Sequence, residues 1–194
     1  MKPLIVMALE SEGQDTLQQL GFEVLCCGVG KVNAAYHLTR RLLEASSHEQ
    51  PFSYVLNLGS AGSHSFPRGS LVAADRFVQR DMDVTGLGFA VGETPFESVA
   101  PVISFARRFP HLPHGICGTG DSFLQGEAPM PCDIIDMEAY ALAKVCLREN
   151  LPFACAKYIT DGADTDATID WPTNLINAAQ AFANLLQHSV LTAS

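Results

Sequence analysis

The chain has 194 residues, 47% of them hydrophobic and 17% charged, a composition typical of a folded protein rather than a disordered one. Its net charge of −9, without a basic cluster, argues against binding a nucleic-acid backbone or an anionic membrane surface. The length suits a single domain, residues 1–194, and the charge fits a small neutral or cationic ligand better than an anionic polymer.

Five short, nearly unbroken apolar runs predict strands that are buried on both faces of a sheet. They occupy residues 4–9, 22–27, 54–59, 71–78 and 153–160. Helices are predicted at residues 31–45, 133–149 and 172–188, and an irregular surface excursion at residues 90–114. Strands that alternate with helices and Gly-rich turns indicate an α/β fold of three layers, with the sheet between two layers of helices.

The six cysteines lie mostly in apolar runs, and none forms a CxxC pair. Buried reduced thiols of a cytosolic protein are the natural interpretation. The first residues lack a basic stretch followed by a long apolar region, and no apolar run approaches the about 20 residues of a membrane span. We therefore expect a cytoplasmic protein that does not cross a membrane.

Ligands of such folds bind at the carboxyl ends of strands, so the segments after the predicted strands form the candidate site. Each of these segments contains glycine, which lets backbone amides approach a ligand closely. The segments are ESEG at 10–13, GVGK at 28–31, GSAGS at 59–63, TGDSF at 119–123 and TDGAD at 160–164.

The segment YITDGADTDATIDW, residues 158–171, carries four aspartates. A calcium loop needs a central Gly and a closing Glu at fixed spacing, and neither falls in place, so we expect no metal site. Solvated loop charges account for Asp164 and Asp166, and Asp170 fits the N-cap of the following helix. Asp161 differs because it ends an apolar strand, where a ligand site is expected.

Three glutamates are candidates for chemistry, each beside a structural interpretation. Glu138 shares a predicted helical stripe with apolar residues and therefore points to the core, where a carboxylate needs a partner. It either forms a buried ion pair or backbone hydrogen bond, or it binds the hydroxyls of a ligand. Glu10 and Glu12 follow the first strand, where a Ser11–Gln14 capping box would start a helix; a carboxylate base at the mouth of the sheet is the equally good alternative.

Seven segments occur in order along most of the chain: ALESE, GVGKVNAA, NLGSAG, DMDVTGLGF, GTGDSF, DMEAYALAKVC and ITDGAD. Together they resemble the nucleoside phosphorylase/hydrolase superfamily, and DMDVTGLGF with Glu12 favours its methylthioadenosine/S-adenosylhomocysteine nucleosidase branch. The resemblance implies one α/β domain, a three-layer α/β/α sandwich whose central sheet is mixed and partly barrel-like. It also implies hydrolysis of the N-glycosidic bond of a purine nucleoside, with adenine as the expected base, that carries a 5′ substituent.

Three carboxylates acquire roles through this resemblance. Glu12 looks like the base that activates the attacking water, Asp161 like the acid that protonates purine N7, and Glu138 like the carboxylate that holds the ribose hydroxyls. The chemistry agrees with general principles, because this bond breaks through an oxocarbenium-like state and adenine leaves only when protonated. The resemblance implies further contacts for Ser60, Ala61 and Gly62 near the ribose and water, Met137 beside the sugar, Phe123 and Leu124 at the base, Thr160 beside the acid, and Trp171 over the ligand.

The resemblance also implies a homodimer, since Val84, Leu87 and Pro95 match a segment that reaches into the 5′-substituent pocket of the neighbouring subunit. It implies neither a metal nor an organic cofactor. The chain departs from the family pattern at Lys157, where an arginine is usual, and the stretch 90–118 is shorter than in typical members. The identity of the 5′ substituent is therefore left open.

Three alternatives remain. A phosphorylase of the same superfamily needs a basic anion pocket, but the segment around Glu12 offers acids and the nearby Gly-rich turns offer only Lys31 and Arg68, so water is favoured over phosphate. A hydrolase of futalosine or of another 5′-modified nucleoside would share the chemistry. A non-catalytic nucleoside-binding protein is disfavoured because Glu12, Glu138 and Asp161 are all present.

Overall fold

A computed structural model of the chain describes residues 3–122, 124, 130–162 and 171–191. The described residues form eight strands, four α-helices and two short 3-10 helices. The strands are β1 Leu4–Met7, β2 Glu23–Cys26, β3 Val55–Gly62, β4 Leu71–Gln79, β5 Val102–Ser104, β6 His114–Thr119, β7 Ile134–Asp136 and β8 Phe153–Asp161. The α-helices are α1 Gln14–Gln19, α2 Lys31–Ser47, α3 Ala139–Arg148 and α4 Trp171–Leu191, and the 3-10 helices are Glu10–Glu12 and Thr85–Leu87.

The strands form one mixed sheet, and five of them close into a ring. Along the ring, β3 pairs with β7, β7 with β6, β6 with β4, β4 with β8, and β8 again with β3. The pairings of β3 with β7 and of β4 with β8 are antiparallel, and the other three are parallel. Strands β1 and β2 extend the sheet from β3, and β5 pairs with β4. The predicted mixed, partly barrel-like sheet is confirmed.

Helices cover the sheet on both faces. In β1, Leu4 and Val6 belong to one buried cluster and Ile5 and Met7 to the other, as expected where successive side chains of a strand point to opposite faces. The first cluster contains residues of α2 and α3, such as Leu38 and Leu142, and the second contains residues of α1 and α4, such as Leu17 and Phe182. The three-layer architecture is therefore confirmed.

The prediction of one helix over residues 133–149 is wrong. Its first part is strand β7, which pairs with β6, and the helix begins only at Ala139. Asp136 is the last residue of β7, and its carboxylate caps the start of α3. Its Oδ2 accepts hydrogen bonds from the backbone N–H groups of Glu138 and Ala139 at 3.2 and 2.8 Å. Glu138 consequently occupies the N-cap of α3 and not a mid-helix stripe.

The other predicted strands and helices occur, with ends displaced by a few residues. The region 90–114 is not wholly irregular, since it contains β5 and the first residue of β6. Asp164, Asp166 and Asp170, including the predicted helix cap, lie outside the described residues.

All six cysteines are free thiols, and burial raises the pKa of Cys27, Cys146 and Cys155 to about 12. These three thiols therefore stay protonated near neutral pH. Among the helices in the described part of the chain, none combines the length and apolar character needed to cross a membrane.

Candidate active site

A cavity of about 360 Å³ opens at the carboxyl ends of the strands, a volume within the range of small-molecule sites. We call it the site cavity. The residues that line it follow or end β1, β2, β3, β4, β6, β7 and β8. Of the residues predicted from the sequence, it brings together Glu12, Ser60, Ala61, Gly62, Leu124, Met137, Glu138, Thr160 and Asp161.

Glu12 is a buried carboxylate held by four hydrogen bonds. It closes the 3-10 turn after β1, where its Oε2 accepts from the N–H groups of Ala8 and Leu9 at 3.2 and 3.1 Å. Its Oε1 accepts from both the N–H and the hydroxyl of Ser60, each at 2.8 Å. The Ser11–Gln14 capping box, one of the two interpretations of this segment, does not form, because Glu12 itself reaches back to cap this turn. The bonds fix one carboxylate between the ends of β1 and β3.

Glu138 is buried where β7 gives way to α3, and its Oε1 accepts a hydrogen bond from Gly30 N at 2.9 Å. Gly30 has φ of +94°, a conformation that favours glycine and turns this N–H toward the carboxylate. Burial raises the pKa of Glu138 to about 7; the charge of Asp136 adds to the rise, while Lys157 and the Gly30 N–H oppose it. Glu138 is therefore poised between its neutral and ionised forms near neutral pH.

A buried ion pair lies beneath Glu138. Lys157 Nζ, in the middle of β8, is 2.9 Å from Asp136 Oδ2, and both residues are at most 5% exposed. Burial by itself would raise the pKa of Asp136, but the charge of Lys157 and the hydroxyl of Thr119 hold that pKa below its ordinary value. Burial would lower the pKa of Lys157, but Asp136 raises it well above the ordinary value. Both groups are therefore charged in the fold.

Asp161 ends β8 and lies half-buried in the wall of the site cavity. The hydroxyl of Thr160 lies 3.0 Å from Asp161 Oδ2 and 3.3 Å from the carbonyl oxygen of Ala61, and it can donate its single proton to either. Asn174 of α4 donates to the carbonyl of Thr160 at 3.1 Å, which ties the end of β8 to the last helix. The predicted neighbourhood of Thr160 and Asp161 is present.

Arg80 also lines the site cavity, and it was not among the residues predicted from the sequence. It directly follows β4 and is 2% exposed. The only sequence signal for Arg80 was that a charged residue follows an apolar strand. This signal was weak, because the region was interpreted through the segment DMDVTGLGF, which begins at the next residue. The Asp136–Lys157 pair was missed for a different reason, because its members come from different strands.

Some predicted site residues are not placed in the cavity. Phe123 lies outside the described residues, and Trp171 is described only as the first residue of α4. Val84, Leu87 and Pro95 belong to the segment after β4 and do not line the site cavity; Leu87 is 75% exposed. Their assignment to a partner's pocket stays a prediction.

Comparisons with known proteins agree with this architecture. The family model described as "Phosphorylase superfamily" matches residues 23–191. The 5′-methylthioadenosine/S-adenosylhomocysteine nucleosidase of Geobacillus kaustophilus is 31% identical over 185 residues, covering 84% of this chain and 76% of the relative. The protein of the same name from a Marinomonas strain is 29% identical over 197 residues, covering 91% of this chain and 80% of the relative.

Solved structures share the fold at lower identity. The futalosine hydrolase of Helicobacter pylori superposes with a TM-score of 0.85 at 21% identity, over 98% of this chain and 97% of that one. The methylthioadenosine/S-adenosylhomocysteine nucleosidase of Streptococcus pneumoniae, solved with 8-aminoadenine, superposes with a TM-score of 0.80 at 24% identity, over 98% and 99%. The match of the family model and the identity to the nucleosidase relatives carry the assignment, while these structures show the common fold. The chain belongs to the phosphorylase superfamily and, within it, to the 5′-methylthioadenosine/S-adenosylhomocysteine nucleosidases, which are N-glycosyl hydrolases.

Proposed function

We propose that the protein hydrolyses the N-glycosidic bond of an adenine nucleoside with a 5′ substituent, such as methylthioadenosine or S-adenosylhomocysteine, and releases the free base. The observation that carries this proposal is the meeting of Glu12, Glu138 and Asp161 in one cavity, although they lie far apart in the sequence. The nucleosidase names of the relatives support the same reaction.

Asp161 is the proposed acid. Adenine is a poor leaving group until a proton reaches its ring, so a carboxylic acid beside N7 assists the departure of the base. The half-buried position at the end of β8 and the neighbouring hydroxyl of Thr160 support this role, since they hold the carboxyl in the cavity wall.

Glu12 is the proposed base that deprotonates the attacking water. Its carboxylate is held in place by the N–H and hydroxyl of Ser60, so that it needs little rearrangement when water approaches. Ser60, Ala61 and Gly62 form the end of β3 on the same wall and would lie beside the ribose and the water. Negative charge there also favours the cationic sugar of the oxocarbenium-like state.

Glu138 is proposed to hold the ribose hydroxyls, with Met137 beside the sugar. An ionised carboxylate accepts hydrogen bonds from two hydroxyls, and one oxygen of Glu138 is already oriented by Gly30 N–H. Because its pKa lies near 7, we expect sugar binding to strengthen as the pH rises through neutrality.

The remaining contacts are proposed from the family resemblance. Phe123 would stack on the purine, the backbone of Leu124 would read the base edge, and Trp171 would cover the ligand. No cofactor takes part in this mechanism. A cytoplasmic setting is part of the proposal, and the six free thiols support it.

A homodimer is also proposed, with Val84, Leu87 and Pro95 of one copy at the 5′ pocket of the other. The exposure of Leu87, together with that of Phe96 at 98%, supports an interface at this segment. Light scattering tests it: a dimer is expected, and Leu87→Asp should shift the protein toward the monomer and weaken binding of the 5′ substituent. A monomeric native protein would contradict the assignment.

Base release tests the reaction. The protein is incubated with methylthioadenosine, S-adenosylhomocysteine, inosine and futalosine, with and without phosphate, and the free base is measured. Adenine release from the first two nucleosides without phosphate is expected. Strict dependence on phosphate would refute hydrolysis. A preference for futalosine would show that futalosine, and not the proposed adenine nucleoside, is the substrate. Asp161→Asn should abolish base release, whereas Asp15→Asn, on the exposed face of α1, should leave it unchanged.

A further inference from the structure

Arg80 is a buried cation in the wall of the site cavity that the proposed hydrolysis does not use. The turn after β6 holds its guanidinium: Nη1 donates to the hydroxyl of Ser122 at 3.2 Å, and Nη2 donates to the carbonyl oxygens of Gly120, at 3.3 Å, and of Ser122. A Cβ added at Gly120 would lie 2.7 Å from Arg80 Cζ, so the glycine leaves the space that the guanidinium occupies.

These contacts leave the guanidinium incompletely satisfied. A guanidinium carries five N–H groups, and the turn accepts from three of them. Arg80 Nε is buried, and no described residue provides a hydrogen-bond partner for it. No carboxylate in the described ranges lies within ion-pair distance of Arg80 either. Two carbonyls and a hydroxyl orient this side chain, but no described carboxylate pairs with it directly.

A purely structural role explains only part of this arrangement. Holding the turn at Gly120 and Ser122 requires donors but no positive charge. A buried charge without a partner is strongly destabilising, and an unmet buried N–H adds a further cost. Because Arg80 lines the cavity wall, a bound ligand can supply a counter-charge to the guanidinium.

The chemistry that fits is an oxyanion. Carboxylate and phosphate oxygens are the groups that a guanidinium binds most strongly, through charge-assisted hydrogen bonds. The other charged residues that line the site cavity are the acids Glu12, Asp136, Glu138 and Asp161, which would repel an anion. Arg80 is therefore the side chain of the wall suited to admit one.

We propose that Arg80 binds an oxyanion in the site cavity, either a carboxylate carried by the nucleoside substrate or free phosphate. This inference rests on the proposed function only in placing a nucleoside in the same cavity. A carboxylate would select nucleosides with an acidic substituent over neutral ones such as methylthioadenosine.

Binding measurements on protein that retains Arg80 and on Arg80 variants test the proposal. Calorimetry compares 5′-deoxy-5′-(carboxymethylthio)adenosine with its neutral methyl ester, and inorganic phosphate is titrated separately. The Asp161→Asn background is used throughout to limit turnover. If the substrate supplies the oxyanion, the acid binds about tenfold or more tightly than the ester. If phosphate is the source, phosphate binds alone and the acid and ester bind alike.

The variants assign either effect to Arg80. Arg80→Gln should abolish the binding effect. Arg76→Gln should retain it, since Arg76 lies on β4, the strand that Arg80 directly follows, and has an exposed side chain. If Arg80→Gln does not fold, Arg80→Lys replaces it and should weaken the effect by loss of the planar fork. Equal binding of acid and ester together with no binding of phosphate, or an effect that persists without Arg80, would overturn the proposal. Base release is measured separately, so the binding result can still be interpreted if the protein does not hydrolyse the nucleoside.

Discussion

The stability of the protein should depend on pH through Glu138. Burial raises its pKa from 4.5 to about 7, with a smaller contribution from Asp136. The folded chain therefore holds this proton more tightly than the unfolded chain does. Such a group stabilises the fold fully below the unfolded pKa, and this contribution is lost as the pH rises through the folded pKa. The affected window runs from pH 4.5 to about 7.

The size of the effect follows from the two pKa values. Their difference, 7 − 4.5, is 2.5 units. At about 1.4 kcal/mol per unit, the free energy of unfolding loses about 3 kcal/mol across the window. Glu138→Gln removes the titration but keeps an oxygen that can accept the hydrogen bond of Gly30 N. The variant should therefore gain about 3 kcal/mol over the native protein between pH 4.5 and 8.

Urea unfolding at pH 5, 6, 7 and 8 measures this difference, because groups that titrate in both proteins cancel. Glu10→Gln serves as the matched control, since Glu10 is exposed in the same part of the fold and should leave the slope unchanged. An equal pH slope in native protein and Glu138→Gln would refute the electrostatic account of this carboxylate.

Three further predictions concern the surroundings of the site. Lys157→Met should lower the free energy of unfolding by about 3–5 kcal/mol, because it leaves Asp136 buried without its cation. Urea unfolding should show this loss shrinking at lower pH, where Asp136 can take up a proton; a constant loss would contradict the pairing. Gly59→Ala places a Cβ 3.3 Å from Glu12 Oε1 and 3.4 Å from Lys157 Nζ. It should lower kcat for base release about tenfold with little change in Tm, and full activity would argue against a fixed carboxylate. Ser60→Ala removes one of the two Ser60 bonds to Glu12 and should reduce kcat/KM by about tenfold, with unchanged kinetics as the contrary result.

The positions of five strands along the chain could be predicted from the sequence, because apolar runs of strand length indicate burial on both faces. The limit of this signal is visible at residues 134–138. Ile134–Asp136 is a three-residue strand, too short for periodicity to distinguish it from the first turn of the helix that follows. Its identity depends on pairing with β6, a contact that local sequence does not encode.

Lys157 illustrates the same limit for electrostatics. A lysine in the middle of an apolar strand predicts a buried cation with a partner, but not which partner. The same holds for Asp136 and Arg80. Their partners lie on or after other strands, so their positions depend on the packing of β4, β6, β7 and β8 against one another. The places of Glu12 and Asp161 could be anticipated, because Asp161 ends one recognisable strand and Glu12 lies in the turn after another. The role of Glu12 came from the family resemblance, since local sequence allowed helix capping equally well.

The closed ring of strands has a consequence for how the protein reaches its native state. Closure requires β3 to pair with β8, so that Thr160 and Ala61, 99 positions apart, lie in hydrogen-bond contact. Pairings between such distant segments are slow to form, because much chain entropy is lost before they contribute stability. During synthesis on the ribosome, the ring therefore cannot close until β8 has emerged, and the cavity wall that carries Glu12 and Ser60 cannot be completed earlier. The pocket and the global fold should accordingly appear in the same late step, without an early intermediate that binds ligand.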